Sequence, residues 1–191
     1  MKINVYIGCI GSGKNYLSER DCDIQLSFAD ALREEVWTML GWRPKTSEDY
    51  EVFKETYWKL PGDKMCFFTG RDILQRYGTD IRRKQDPDYW VKQLITKLHK
   101  FKSMDMPINK GDILLSRATI GITDCRFENE VLGLINFSES AGILVDFIHT
   151  DYKSDRYNSK SEHESEKLAQ QFAGKVFTEG EFNKLIFEIY G

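Results

Sequence analysis

The most specific chemistry in this sequence lies near its start. Gly8-Cys9-Ile10-Gly11-Ser12-Gly13-Lys14-Asn15 fits GxxxxGK. Glycines let a backbone curl so that several N–H groups face one anion. A helix starting at such a turn adds the partial positive charge of its N-terminus. Lys14 has the reach to touch the β and γ phosphates of a nucleotide. Gly8, Gly11, Ser12, Gly13, Lys14 and Asn15 are therefore the candidate residues for the phosphates of a nucleotide. The motif normally ends in Ser or Thr, whose hydroxyl binds Mg²⁺. Asn15 stands there instead, and its amide oxygen is also a hard, neutral donor. It either coordinates the ion or hydrogen-bonds a phosphate or a water.

Phosphoryl transfer also needs cations outside such a loop. Arg71 and Gln75 fall at i and i+4 of a predicted helix, with Arg76 next to them. Arg82-Arg83-Lys84 follow soon after. Asp124-Cys125-Arg126 come directly after an apolar run that reads as a strand. Ligands of open α/β sheets sit beyond the carboxyl ends of strands. There Asp124 suits Mg²⁺ held through water, and Arg126 suits either a substrate phosphate or a surface ion pair with Glu130. The polar run 153–160, with Lys153, Arg156 and Lys160, reads equally as a solvated loop or as a lid bringing cations over the phosphates. His163-Glu164-Ser165-Glu166 reads as the acidic start of a helix. Phe28, Tyr89 and Trp90 offer rings to a base, although aromatics at helical spacing also build cores. No Ser/His/Asp or Cys/His constellation stands out.

These residues need elements to position them. Residues 2–7 alternate and end at Gly8, which predicts a strand. Further strands are predicted at 24–28, 119–123, 143–149 and 175–178. Helices are predicted at 14–20, 30–40, 47–60, 69–77, 87–101, 127–140, 165–172 and 181–190. Strands alternating with helices imply an α/β fold with a mostly parallel sheet. The long helical stretch, about 29–103, reads as an insertion within a single domain spanning 1–191.

Composition narrows the function classes. Among 191 residues there are 27 Lys and Arg against 30 Asp and Glu, a net charge of −3. That disfavours a basic nucleic-acid clamp. The longest apolar runs are too short to span a bilayer. MKINVYIG lacks the apolar stretch of a signal peptide, so a cytoplasmic setting with reduced thiols is expected. Cys9, Cys22, Cys66 and Cys125 show no CxxC spacing, which argues against structural zinc.

The ordered set of motifs resembles the bacteriophage deoxynucleoside monophosphate kinases. After the glycine-rich turn come Ser27-Phe28-Ala29-Asp30-Ala31-Leu32-Arg33-Glu34 and Gly70-Arg71-Asp72-Ile73-Leu74-Gln75-Arg76-Tyr77-Gly78-Thr79. Asp86-Pro87-Asp88-Tyr89-Trp90-Val91, Thr123-Asp124-Cys125-Arg126-Phe127-Glu128-Asn129-Glu130 and His163-Glu164-Ser165-Glu166 complete it. The resemblance spans most of the chain. It implies a three-layer P-loop kinase fold with a helical acceptor-binding insertion and a lid at about 150–162. It implies ATP and Mg²⁺ as cofactors, and transfer of the γ-phosphoryl to a deoxynucleoside monophosphate. By matching position, Lys14, Arg71 and Arg126 would be catalytic. Phe28, Asp30, Arg71, Gln75, Arg76, Trp90 and Arg126 would hold the acceptor. Asn15 and Asp124 would serve the metal, and a homodimer, in host cytoplasm if the source is viral, would fit the family. A phosphomevalonate kinase-like enzyme shares the loop and a basic pocket. A regulatory protein that binds nucleotide without turnover is the reading that Asn15 favours.

Overall fold

The computed structural model describes residues 1–60, 66–104, 114–154, 166–178 and 180–191. In chain order these form β1 (Lys2–Ile7), α1 (Lys14–Asp21), β2 (Ile24–Leu26), α2 (Ala29–Leu40) and α3 (Ser47–Glu55). Next come β3 (Tyr57–Lys59), β4 (Phe67–Thr69), α4 (Gly70–Gln75) and a π-helical stretch at Arg76–Arg83. Then follow α5 (Tyr89–Ser103), a 3₁₀ turn at Leu115–Arg117, β5 (Thr119–Ile122), α6 (Glu128–Ala141), β6 (Leu144–His149), α7 (Lys167–Gln170) and α8 (Glu181–Tyr190). No described helix is long and apolar enough to cross a membrane.

Contacts divide these elements into two units, 1–28 with 91–191 and 29–90. The first is an α/β unit around a parallel sheet ordered β2-β5-β1-β6. Alternation along β1 explains its central place. Ile3, Val5 and Ile7 are fully buried and pack in the main apolar cluster with Ile120, Ile122, Val145 and Phe147. Each such side chain contributes roughly 1.5–3 kcal/mol. The connection from β1 passes β5 to reach β2, and the one from β5 passes β1 to reach β6. Right-handed crossovers moving in opposite directions leave their helices on opposite faces, which is compatible with three layers. Helix α8 covers the β6 end, where Asn183 Oδ1 accepts the Phe147 N–H at 2.8 Å.

On its other face β1 is polar, and α1 docks there without an apolar stripe. Ser18 is the only buried residue of α1. Its hydroxyl donates to Gln25 Oε1, and Gln25 Nε2 donates back to the Ser18 carbonyl at 3.0 Å. Tyr6 Oη lies 3.4 Å from Cys22 Sγ, and Asn4 Nδ2 donates to the same sulfur at 3.7 Å. Gly121 makes room, since a Cβ there would stand 2.0 Å from Ser18 Oγ.

The second unit has its own small core of Val36, Phe53 and Ile73, ringed by Trp42, Tyr50 and Trp58. Two sequence expectations are corrected. The predicted helix at 47–60 stops at Glu55, because Thr56 turns extended and Tyr57–Lys59 pairs antiparallel with Phe67–Thr69. Lys175–Thr178 is no strand, and Val176 is 95% exposed. The helix predicted at 69–77 runs on past Gln75 in π-helical form.

His149 ends β6 inside an aromatic box, 5.1 Å from the Phe177 ring and 5.2 Å from Phe182. No described residue offers its Nε2 a hydrogen bond. Burial lowers its pKa below the usual 6.5, with Asp151 opposing. The unfolded chain therefore binds the proton first. Stability from this site is intact above the unfolded value and is lost as pH falls toward the folded one. Urea midpoints measured across this window should fall more steeply with acid in the wild type than in His149→Phe. Parallel profiles would refute it.

Candidate functional site

Every strand of the parallel sheet ends on the same side, so the turns after β1, β2, β5 and β6 lie along one sheet edge. The turn after β1 is the glycine-rich one. Gly11 and Gly13 have φ of 78° and 83°, the left-handed region that suits glycine, and Gly13 is the N-cap of α1. Gly8 is fixed by crowding instead. A Cβ there would lie 2.2 Å from the Thr150 carbonyl oxygen and 2.5 Å from Ser12 Oγ.

The segment after β6 braces this turn. Thr150 N donates to the Ile7 carbonyl at 2.9 Å. Thr150 Oγ1 lies 2.8 Å from Ser12 Oγ, and Ser12 is 1% exposed. Ser154 Oγ donates to the Gly11 carbonyl at 2.7 Å. Lys14 folds back over its own loop, with Nζ donating to the Gly8 and Cys9 carbonyls at 2.6 and 2.7 Å. Burial and, after it, the Arg126 guanidinium lower its pKa to about 8, with Glu166 and Asp124 opposing. Lys14, Arg126, Asp124 and Glu166 therefore share one electrostatic neighbourhood. Asn15 is exposed on the first turn of α1.

The turn after β5 holds Asp124 and Arg126. Asp124 accepts from Ser27 Oγ and from Phe28 N at 3.0 Å, which joins the end of β2 to the end of β5. Phe28 itself is 3% exposed and belongs to the main apolar cluster. Glu130 is almost fully buried, and its Oε2 accepts the backbone N–H groups of Arg126 and Phe127 at 2.7 and 3.1 Å. So the surface partner read for Arg126 instead fixes its backbone. The Arg126 side chain pairs with Glu166, Nη1 to Oε1 at 2.7 Å, and Glu166 is 4% exposed. Sequence reasoning treated Glu166 as an acidic first-turn residue. No local signal ties it to an arginine 40 positions earlier.

The remaining acceptor candidates lie in the second unit. Asp30 pairs with Arg33 at 2.6 Å. Arg71 pairs with Glu55 at 3.0 Å across an exposed surface. Gln75 is exposed, and Arg76 lies over the Phe68 ring at 4.4 Å. Trp90 is buried and donates Nε1–H to the Gly78 carbonyl at 3.1 Å. Arg82, read only as part of a basic run, joins Tyr77 in donating to Glu35 Oε2, at 2.8 and 2.7 Å, while Tyr89 donates to Glu35 Oε1. Burial raises the Glu35 pKa, but the bonds from Tyr89, Tyr77 and Arg82 outweigh this and hold it low. An open cavity of about 360 Å³ lies beside that group.

Lys153 is exposed; Arg156 and Lys160 lie outside the described residues, with most of the predicted lid. Among the described residues no cluster of three His, Cys, Asp or Glu side chains forms a metal site. Asn15 and Asp124 offer hard oxygen donors of the kind Mg²⁺ takes alongside phosphate oxygens. No protein-family model and no curated protein matches the chain.

Proposed function

We propose that the chain is a deoxynucleoside monophosphate kinase built on a three-layer P-loop scaffold. It transfers the γ-phosphoryl of ATP to a deoxynucleoside monophosphate, giving ADP and a deoxynucleoside diphosphate. The observation that carries this reading is Lys14. Its ammonium is partly desolvated and held over a left-handed glycine turn at the carboxyl end of the central strand. Such an arrangement supports the reading because it suits loop amides and one cation binding a single anion.

In this reading an acceptor phosphate oxygen attacks the γ-phosphorus while the bond to the β-bridging oxygen breaks. The electron pair leaves with ADP. No general base is needed, because the acceptor phosphate is already anionic near neutral pH. Lys14 leaves the Gly8 and Cys9 carbonyls for the β and γ phosphates. Arg126 offers its guanidinium to the transferring group or the acceptor phosphate, with Glu166 fixing its position. Asn15 and Asp124 would hold Mg²⁺, which when bound neutralises phosphate charge. Asp30, Arg71, Gln75, Arg76 and Trp90 are assigned to the acceptor, and Lys153, Arg156 and Lys160 to a lid.

The test is ADP release with ATP, Mg²⁺ and a panel of deoxy- and ribonucleoside monophosphates plus phosphomevalonate. Turnover dependent on a deoxynucleoside monophosphate is expected. Turnover with phosphomevalonate alone would move the chain to another kinase class. ATP binding without turnover on any acceptor would favour a regulator.

A further inference from the structure

Tyr152 is a large aromatic residue that stays 71% exposed, although it stands directly against the glycine-rich turn. A Cβ on Gly13 would meet Tyr152 Cβ at 3.4 Å and ring atoms Cγ and Cδ1 at 3.9 Å. The attached end of the ring therefore lies against the N-cap of α1, and most of the side chain faces solvent. The residues around it are fastened. Thr150 is tied to Ile7 and Ser12, and Ser154 to Gly11. The segment that presents the ring is thus held to the turn at both ends, so the ring's position follows that of the loop amides. An aromatic this exposed leaves apolar area in water, and it needs no such fastening to stay folded.

We infer that Tyr152 is the stacking platform for the nucleobase of the donor nucleotide. This rests on the proposal that the glycine-rich turn holds the donor's phosphates. A nucleotide anchored there must carry its base past the loop's edge, and a flat π-face beside the N-cap is what a base stacks on. Stacking of a base on an aromatic side chain changes affinity by roughly five- to a hundredfold. Every base has a π-face, so such a platform adds affinity without choosing the base. Choice among bases is then left to the acceptor side of the reaction.

Titration calorimetry with Mg²⁺ and two probes, ATP and inorganic tripolyphosphate, separates base from phosphate. The variants are Tyr152→Ala, Tyr152→Phe and Tyr16→Ala. Tyr16 is the other exposed tyrosine close to the turn in sequence, on the first turn of α1. Tyr152→Ala is expected to weaken ATP about tenfold or more while leaving tripolyphosphate unchanged, and Tyr152→Phe to keep wild-type affinity for both. Equal weakening of both probes, or of neither, overturns the platform. A selective loss in Tyr16→Ala instead of Tyr152→Ala overturns it in favour of the other ring. If the wild type binds neither probe, the phosphate-loop reading itself falls, and the platform with it. Binding of both by the wild type, with no effect of Tyr152→Ala, removes the platform alone.

Discussion

Replacing Lys14 with Met is expected to lower acceptor-dependent ADP release by about a hundredfold or more while the protein stays folded. The ammonium lies over the loop, and its hydrogen-bond partners among the described residues are the two loop carbonyls. Losing those two bonds costs little overall, because the desolvation that pulls the pKa to about 8 disappears with the charge. Met keeps most of the aliphatic stem. Near-normal rates in Lys14→Met would remove its role. A pH dependence accompanies it. The ammonium of the unliganded protein loses its proton as pH rises through about 8, so affinity for tripolyphosphate should fall above that value. In Lys14→Arg the fall should vanish from the range, since a guanidinium stays charged. Flat affinity from pH 7 to 9 in the wild type would contradict this.

Arg126→Ala is expected to reduce turnover by a similar factor, about a hundredfold or more, but it also disturbs folding. Glu166 is 4% exposed, and Arg126 is its ion-pair partner. Removing the arginine strands a buried carboxylate, which costs more than the pair itself contributes. The two effects separate in a second variant. Adding Glu166→Gln to Arg126→Ala should restore much of the melting temperature without restoring turnover. Recovery of both would make Arg126 a structural residue only. Normal turnover in Arg126→Ala would exclude it from the reaction.

Much of the sheet was legible because its signals are local. The alternation of 2–7 and the apolar run of 143–149 are periodicities read within a few residues, and both became adjacent strands of one parallel sheet. The spacing of Gly8, Gly11 and Gly13 likewise announced a turn, left-handed at Gly11 and Gly13 and crowded at Gly8. What escaped depends on residues far apart in the chain. Tyr57–Lys59 continues the aromatic and charged pattern of α3, and only its pairing with Phe67–Thr69 makes it a strand. Lys175–Thr178 shows the converse, since it has strand-like residues but no pairing partner among the described strands. The burial of Glu130 and Glu166 was invisible because a carboxylate is expected in water. Its burial follows from partners supplied by the fold, the Arg126 and Phe127 amides for one and the Arg126 side chain for the other. Glu35 gathers Tyr77, Arg82 and Tyr89 in the same way. Each was readable as a charge and not as a hub.

The polar docking of α1 bears on angular accuracy. An apolar stripe fixes a helix's azimuth only broadly, because burial rewards area and is indifferent to direction. Hydrogen bonds reward direction, and the reciprocal pair between Ser18 and Gln25 penalises any roll of α1. Gly13 caps that same helix, so rolling α1 would turn the glycine-rich segment with it. The torsional stiffness of the glycine-rich turn is therefore set from below, by a glutamine on β2.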